Sequence, residues 1–153
     1  MNSEQIIKEL IEKNISITTA ESCTGGRVAS EITKYAGVSS IYPGSVVSYS
    51  NKIKQKVLNV RKSTLKNFGA VSRECVKEML DGVEELMETD ISVAISGIAG
   101  PTGGTKEKPV GLVYIGVKYK DKLFIEKNIF DGDRNEVQER AKNRAFEMVE
   151  KII

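Results

Sequence analysis

Strand and helix patterns alternate along this sequence, and that alternation limits the chain to an α/β fold. Apolar residues recur at helical spacing over 3–13, where Ser3 is the expected N-cap, and a short apolar strand follows over 15–20. A second helical pattern then runs from 24 to 36. Because no linker rich in Pro or Ser interrupts the alternation, we predict a single domain over residues 1–153.

The middle of the chain continues this alternation. A strand is predicted over 46–49, followed by a short basic helix over 51–58 and a single helical turn over 63–68. Ser72 is the predicted N-cap of a longer helix over 73–88, whose apolar residues form one wide face.

The last third of the chain predicts a buried strand and a hairpin. Residues 91–95 are continuously apolar, as in a central strand, and 110–118 and 123–130 are strands joined by a short turn. Asp133 and Glu136 form a capping box at the start of the final helix. We therefore predict a three-layer α/β/α domain with a mixed, mostly parallel sheet and a C-terminal hairpin.

The composition excludes several kinds of chemistry. The chain has no histidine, so Ser-His-Asp and Cys-His nucleophile pairs and His-ligated zinc are excluded. Cys23 and Cys75 lack CxxC spacing, which gives no support for a disulfide framework or a thiolate metal site, and we expect Cys75 to be buried as a small apolar residue.

Charge and hydropathy restrict the expected partners. A net charge of +2 without long runs of one sign predicts no nucleic-acid partner. The N-terminal segment is charged and amphipathic, and no window approaches 18 apolar residues, so we expect no membrane partner and a cytoplasmic protein.

Hydroxyl and glycine residues cluster where the first strand pattern gives way to a helix pattern, in the segment TAESCTGG. Ligands of open α/β sheets bind at such strand ends. A helix N-terminus offers unpaired N–H groups, and paired glycines allow close approach by an anion or a developing oxyanion. Ser22 and Cys23 are therefore both candidate nucleophiles. In the alternative interpretation, Ser22 or Thr24 only caps the helix.

A second strand-to-helix junction, YSNKIK, supplies a candidate base. Without histidine, a serine nucleophile needs another base, and a desolvated lysine is the usual substitute. The amine must be neutral, so its pKa must lie well below the reference value of ~10.4. Burial, a helix N-terminus and the like charges of Lys52 and Lys56 would all lower the pKa of Lys54. The alternative is a solvated basic helix.

A glycine-rich loop, SGIAGPTGGT, follows the buried strand and carries four glycines and three hydroxyl residues. Backbone N–H groups and hydroxyls in this arrangement predict a cradle for phosphate or ribose. The loop lacks the spacing of a Walker motif, and no helix follows it, which argues against a small-molecule kinase. The alternative is a long surface loop.

Four segments, ESCTGG, YSNKIK, SGIAGPTGGTKEKPVG and FDGDR, closely resemble the C-terminal domain of the competence/damage-inducible CinA proteins in order and separation. The resemblance covers the chain from about residue 6 to its end. Stand-alone members of this family are nicotinamide-nucleotide amidohydrolases. They hydrolyse nicotinamide mononucleotide (NMN) to nicotinate mononucleotide and ammonia in pyridine-nucleotide recycling. The resemblance implies this reaction here, with a pyridine mononucleotide substrate, no cofactor or metal, and a homo-oligomer.

The resemblance also implies a role for each matching position. Ser22 would be the nucleophile, Lys54 the general base and then acid, and Tyr49 an orienting or proton-sharing hydroxyl. Backbone amides after Ser22 would stabilise the oxyanion, and the glycine-rich loop would hold ribose and phosphate with help from an arginine. The implied substrate-binding residues are Cys23, Thr24, Gly25, Gly26, Gly97, Gly100, Thr102, Gly103, Thr105, Arg134 and Arg140.

A second hypothesis belongs to a different class of protein. The same loops could bind a ligand without turning it over, in a noncatalytic nucleotide- or partner-binding accessory domain associated with DNA uptake or repair. Ligand binding without turnover would distinguish this hypothesis from the amidohydrolase.

Overall fold

A mixed five-stranded sheet lies at the centre of the computed structural model, which describes all residues from 1 to 153. The strands are β1 (Ile17–Glu21), β2 (Ser45–Val47), β3 (Ile91–Gly97), β4 (Leu112–Tyr119) and β5 (Lys122–Ile129). The α-helices are α1 (Ser3–Glu12), α2 (Arg27–Ile32), α3 (Asn51–Leu58), α4 (Lys62–Phe68), α5 (Arg73–Met87) and α6 (Arg134–Ile152).

The strand order is β2-β1-β3-β4-β5. Strand β1 pairs in parallel with β2 and β3, whereas β4 pairs antiparallel with β3 and β5. Four strands therefore run in one direction and β4 runs opposite to them. The β4–β5 hairpin is the one predicted from the sequence, and the predicted mixed, mostly parallel sheet is confirmed.

Helices cover both faces of the sheet and bury two separate apolar clusters. Helices α1, α2 and α6 enclose the larger cluster, which includes Ile7, Ile32, Val93, Ile115 and Phe146. Helices α3 and α5 enclose the smaller one, which includes Leu58, Cys75, Val76, Met79 and Ala94, with Leu65 of α4 packed against it. The three-layer α/β/α architecture is therefore confirmed, and Cys75 is buried as expected.

Side-chain caps begin the two longest helices, α5 and α6, at the residues that the sequence predicts. Ser72 accepts a hydrogen bond from the N–H of Cys75 at the start of α5. Asp133 and Glu136 form the predicted capping box of α6. These caps satisfy N–H groups that a helix leaves unpaired, so short polar signals fix the helix starts.

Two helices, α1 and α2, differ from the prediction at their ends. Asn2, not Ser3, is the N-cap of α1 and completes a capping box with Gln5. Helix α2 begins only at Arg27, because Gly26 adopts a left-handed φ of 99° that cannot continue a helix. The same helix ends at Ile32, short of the predicted 36.

The parallel strands β1 and β3 point their carboxyl ends toward the same edge of the sheet. The chain after β1 leads to β2 on one side, and the chain after β3 leads to β4 on the other. A crevice forms where connections diverge in this way. No helix is both long enough and apolar enough to cross a bilayer.

Candidate active site

Ser22 and Lys54 meet at the carboxyl end of β1. Ser22 is the first residue after β1, and Lys54 lies in the first turn of α3, which is capped by Ser50. The Lys54 Nζ atom lies 2.9 Å from Ser22 Oγ. Ser22 is 8% exposed and Lys54 only 1%, so the pair is shielded from bulk water.

Main-chain carbonyls complete the surroundings of the Lys54 amine. Its Nζ donates to the carbonyl oxygens of Ser48 at 2.8 Å and Tyr49 at 3.2 Å. A neutral amine has two N–H donors and one lone pair. With both donors directed to the carbonyls, the lone pair is left for the hydroxyl hydrogen of Ser22. The site therefore fits the neutral amine that a general base requires.

Burial lowers the pKa of Lys54 from its usual value of 10.5, because the charged ammonium is poorly solvated there. The sequence prediction gave part of this role to Lys52 and Lys56. That part is wrong, because both side chains are exposed on α3 and neither contributes to the shift.

The two candidate nucleophiles differ sharply in environment. Burial raises the pKa of the Cys23 thiol to about 12, so it stays protonated near neutral pH. Its side chain is 4% exposed and is part of the larger apolar cluster. Ser22, in contrast, has a basic partner at hydrogen-bond distance. The geometry favours Ser22 as the nucleophile.

The N-terminus of α2 is occupied by a side chain that the sequence analysis did not single out. The fully buried carboxylate of Glu21 accepts hydrogen bonds from the N–H groups of Val28 and Ala29 at 3.0 and 2.9 Å. Thr24 donates its hydroxyl to the same carboxylate at 2.7 Å. The sequence predicts that the N–H groups at this helix start and Thr24 bind an anion or a substrate. In the structure they bind the Glu21 carboxylate instead.

The neighbouring glycines have a conformational role in this turn. Gly25 and Gly26 both have positive φ, 59° and 99°, which turns the chain sharply between β1 and α2. Neither lines the cavity beside Ser22.

A cavity of ≈ 290 Å³ opens directly onto Ser22 and Lys54. The glycine-rich loop after β3 forms its opposite wall. Of the residues predicted from the sequence, the cavity brings together Ser22, Cys23, Tyr49, Lys54, Gly97, Gly100, Thr102, Gly103 and Arg134.

Arg134 joins two walls of this cavity. Its guanidinium donates to the carbonyl oxygen of Gly100 and to the hydroxyl of Tyr49, both at 2.7 Å. Tyr49 is 61% exposed, and its hydroxyl accepts a hydrogen bond from Arg134 and makes none with Ser22 or Lys54. The carbonyl of Tyr49, not its hydroxyl, contacts the Lys54 amine.

Two further predicted binding residues lie away from the cavity. The hydroxyl of Thr105 accepts a hydrogen bond from the N–H of Lys108 within the exposed tip of the loop. Arg140 donates to the carbonyl oxygen of Asp131 and pairs with Glu136.

Sequence reasoning missed several residues that shape the site. Asn51, Ala70, Val71 and Ser96 line the cavity, and Glu21 and Gln138 support the turn that carries Ser22. Asn51 lies within the segment YSNKIK and Ser96 within SGIAGPTGGT, so their places in these two segments could have indicated them. Ala70 and Val71 reach the cavity through the packing of α4 against α5, which leaves no local pattern. No three Cys, Asp or Glu side chains lie close enough together to hold a metal ion.

The arrangement provides both parts needed for attack on a carbonyl carbon. An uncharged amine beside a hydroxyl generates a nucleophile. The N–H groups of Cys23 and Thr24, which follow Ser22, have no oxygen acceptor within the chain. Such free donors can stabilise a developing oxyanion.

This fold and this motif set define a known family. The family model of the CinA C-terminal domain matches residues 2–153. The chain belongs to the CinA C-terminal domain family.

Relatives with this domain include longer proteins. The chain is 47% identical over 153 residues to a CinA-like protein of Thermosipho melanesiensis, and 48% identical over 151 residues to a CinA-like protein of Kosmotoga olearia. Each match covers 98% of this chain and 37% of the relative. The chain therefore spans little more than a third of the length of these relatives.

Solved structures match the fold over nearly its whole length. The competence damage-inducible protein A of Klebsiella pneumoniae has a TM-score of 0.93 at 35% identity, covering 99% of this chain and 98% of that one. The competence/damage-inducible protein CihA of Agrobacterium tumefaciens has a TM-score of 0.92 at 35% identity, covering 98% and 94%.

Proposed function

We propose that this domain is an amidohydrolase that converts NMN to nicotinate mononucleotide and ammonia. The observation that carries the proposal is the 2.9 Å contact between Lys54 Nζ and Ser22 Oγ at the wall of a cavity. Membership of the CinA C-terminal domain family supports it, because the stand-alone amidohydrolases share these motifs.

The first half of the reaction transfers the acyl group to serine. Ser22 Oγ attacks the carboxamide carbon while Lys54 Nζ takes the hydroxyl proton. The tetrahedral intermediate then collapses, the C–N bond breaks, and Lys54 gives the proton to the departing nitrogen. Ammonia leaves, and the nicotinoyl group remains as an ester on Ser22.

The second half repeats the proton transfers with water. Lys54, neutral again, takes a proton from a water molecule as its oxygen attacks the ester carbon. Collapse of this intermediate breaks the ester bond, and Lys54 returns the proton to Ser22 Oγ. Nicotinate mononucleotide is released, and the site regains its starting state.

The free N–H group of Cys23, a residue that lines the cavity, would stabilise both tetrahedral oxyanions. A single donor in this role is worth about 2.7–4 kcal/mol. A main-chain donor requires no particular side chain, so substitution of Cys23 should leave this contribution intact.

The opposite wall would hold the ribose and the phosphate. The glycines of the loop after β3 and the hydroxyl of Thr102 line that wall, and Arg134 adds a guanidinium at its edge. Arginine binds phosphate in a bidentate manner and carries its charge at all relevant pH values. On binding, Arg134 would exchange part of its pairing with Tyr49 for the phosphate.

Ammonia release from NMN by the purified, chelator-treated protein tests the proposal. We expect turnover by the wild type and a fall of at least about 10³-fold in Ser22→Ala. Ser40→Ala, an exposed serine remote from the cavity, is the matched control and should be fully active. Absence of ammonia from NMN would refute the substrate. A thermal shift with NMN but no ammonia would instead support a noncatalytic nucleotide-binding domain.

A further inference from the structure

Two buried polar side chains outside the cavity hold the turn that carries Ser22. We call residues 22–24, between β1 and the glycines, the nucleophile turn. Glu21, which precedes it, is fully buried, and Gln138 of α6 is only 8% exposed. Neither side chain lines the cavity.

Glu21 accepts four hydrogen bonds and needs all of its acceptor capacity to do so. One carboxylate oxygen accepts from Thr24 Oγ1 and the N–H of Val28, and the other from Thr19 Oγ1 and the N–H of Ala29. Each oxygen therefore faces a main-chain N–H that can only donate. An amide in place of the carboxylate would turn its NH₂ group toward one of these N–H groups.

The main chain of Glu21 also connects the two halves of the catalytic pair. Its carbonyl oxygen accepts from the N–H of Ser48 at 2.8 Å, and the carbonyl of Ser48 in turn accepts from Lys54 Nζ at 2.8 Å. The residue that precedes Ser22 is thus one hydrogen bond away from the segment that holds the Lys54 amine.

Gln138 fixes the nucleophile turn to α6, a helix distant in sequence. Its Nε2 atom donates to the carbonyl oxygen of Cys23 at 2.8 Å. The two residues are 115 positions apart in sequence, so this bond ties the turn to α6. With Glu21 tying the turn to α2, the peptide beside Ser22 is held from two helices.

We propose that Glu21 and Gln138 are positioning residues that hold Ser22 Oγ within hydrogen-bond distance of Lys54 Nζ. The inference rests on the proposed function for its kinetic readout. Catalysis by a paired nucleophile and base depends steeply on their separation, and a displacement of about 1 Å can cost on the order of 10²-fold in rate. Loss of either support should therefore lower kcat while the KM for NMN changes little, since neither side chain contacts the cavity.

Gln138→Met is the principal test, because methionine keeps the size and apolar stem of glutamine but cannot donate to Cys23. We expect kcat to fall by roughly 10-fold to 10²-fold with an unchanged KM. Thr89→Val is the matched control. Thr89 is also 8% exposed and donates to a main-chain carbonyl, that of Ile91, at the N-terminal end of β3, whereas the cavity loop follows the C-terminal end of that strand. It should lose comparable thermal stability but keep the wild-type kcat.

Glu21→Gln is the second test and addresses the carboxylate itself. We expect a fall in kcat of about 10²-fold, because the amide cannot satisfy both N–H groups and the turn must shift. The midpoint of the pH–rate profile should stay at the wild-type value, because the burial of Lys54 is unchanged. Should this variant fail to fold, Gln138→Met still decides the proposal.

Crystal structures of wild type and Gln138→Met separate this inference from the proposed function. We expect the Ser22 Oγ–Lys54 Nζ distance to exceed 3.5 Å in the variant while the sheet superposes on the wild type. A wild type that releases no ammonia from NMN would refute the proposed function, and the distance alone would then decide the positioning role. An unchanged distance in Gln138→Met, or an unchanged kcat in an active protein, would overturn it.

Discussion

Lys54 is among the largest fully buried side chains of the molecule, a place where a lysine is rarely found. Its position depends on two carbonyls and a hydroxyl that together match the bonding capacity of the uncharged amine. Charge on this group is costly because it is poorly solvated, and that cost lowers the pKa of the amine and favours the neutral form that can accept a proton.

The free energy of unfolding should depend on pH through the titration of Lys54. Because its pKa is lowered in the folded state, the unfolded chain binds more protons between the folded pKa and 10.5. Wild-type stability should therefore rise with pH across that window, relative to Lys54→Met. Urea unfolding of both proteins at several pH values up to 10.5 measures this. A stability difference independent of pH would show that the buried amine is not the cause.

Activity should follow the same titration. We expect kcat for ammonia release to rise with pH through the folded pKa of Lys54, with a midpoint below 10.5. Lys54→Met should show no such rise and little turnover. A wild-type profile that is flat below 10.5 would contradict a lysine base.

Cys23 should be dispensable for turnover even though it lines the cavity. Its thiol pKa of about 12 leaves almost no thiolate at neutral pH, and Cys23 contributes apolar packing and a main-chain N–H instead. Cys23→Ala should keep most of the wild-type kcat at a modest cost in melting temperature. Complete loss of activity in a folded Cys23→Ala protein would instead point to a cysteine nucleophile.

The two central site residues were predictable because each lies in a short segment with its own chemistry. In a chain without histidine, a lysine is the expected base, and a serine at a strand end is its expected partner. Glu21 and Gln138 were not predictable in this way. Glu21 looks like an ordinary strand-end acid, and Gln138 acts across 115 residues of sequence, so only the folded packing joins it to the turn.

Helix α3 carries Lys54, and its C-terminal end packs against α5 at a glycine. A Cβ atom at Gly82 would lie 2.0 Å from the carbonyl oxygen of Leu58, the last residue of α3. The spacing of these two helices therefore depends on the missing side chain.

Gly82→Ala should displace α3 and with it the base. We expect a loss of about 1–3 kcal/mol in the free energy of unfolding and a fall in kcat. Glu85→Ala on the exposed side of the same helix is the control and should stay within about 0.5 kcal/mol of wild type. Urea denaturation and ammonia release measure both effects. Wild-type stability and kcat in Gly82→Ala would show that the helices can separate freely.

At the level of elements, the reliable signals were the caps and the hairpin. Ser72 and the Asp133–Glu136 pair satisfy N–H groups next to them in sequence, so their effect is local and readable. The sequence pattern predicts too long a helix α2, because the apolar spacing continues to Ala36, an exposed residue in the structure. Apolar periodicity alone does not show at which residue a helix ends.

The whole molecule consists of two apolar clusters that share one sheet. Residues of β3 contribute to both, with Val93 in the larger cluster and Ala94 in the smaller. Because alternate residues of a strand face opposite sides, loss of packing on one face disturbs the strand that supports the other.

Unfolding should therefore be a single cooperative transition. Ile7→Ala on one face and Met79→Ala on the other should each lower the unfolding free energy by about 2–5 kcal/mol. Far-UV circular dichroism and tyrosine fluorescence, which is measurable because the chain has five Tyr and no Trp, should give coincident curves. The exposed Lys127→Ala is the control. Two separated transitions in either variant would show that the faces unfold independently.

The architecture as a whole followed from alternation of strand and helix patterns, but the strand order did not. The placement of β3 beside β1, with β2 displaced to the edge, is decided by long-range packing. That order is what brings the loops after β1 and β3 together at the cavity.

The glycine-rich loop is fastened to the sheet at its base, next to the cavity, by main-chain hydrogen bonds that do not involve Ser22 or Lys54. Main-chain hydrogen bonds join Ile98 to Leu112 and Gly111 to both Ile98 and Phe130, while the tip around Thr105 is exposed. The tip of the loop could therefore vary in length while the hydrogen bonds at its base are kept. Binding of a different ligand could be acquired there while Ser22 and Lys54 stay unchanged, which makes this loop the first place to alter when the ligand is to be changed.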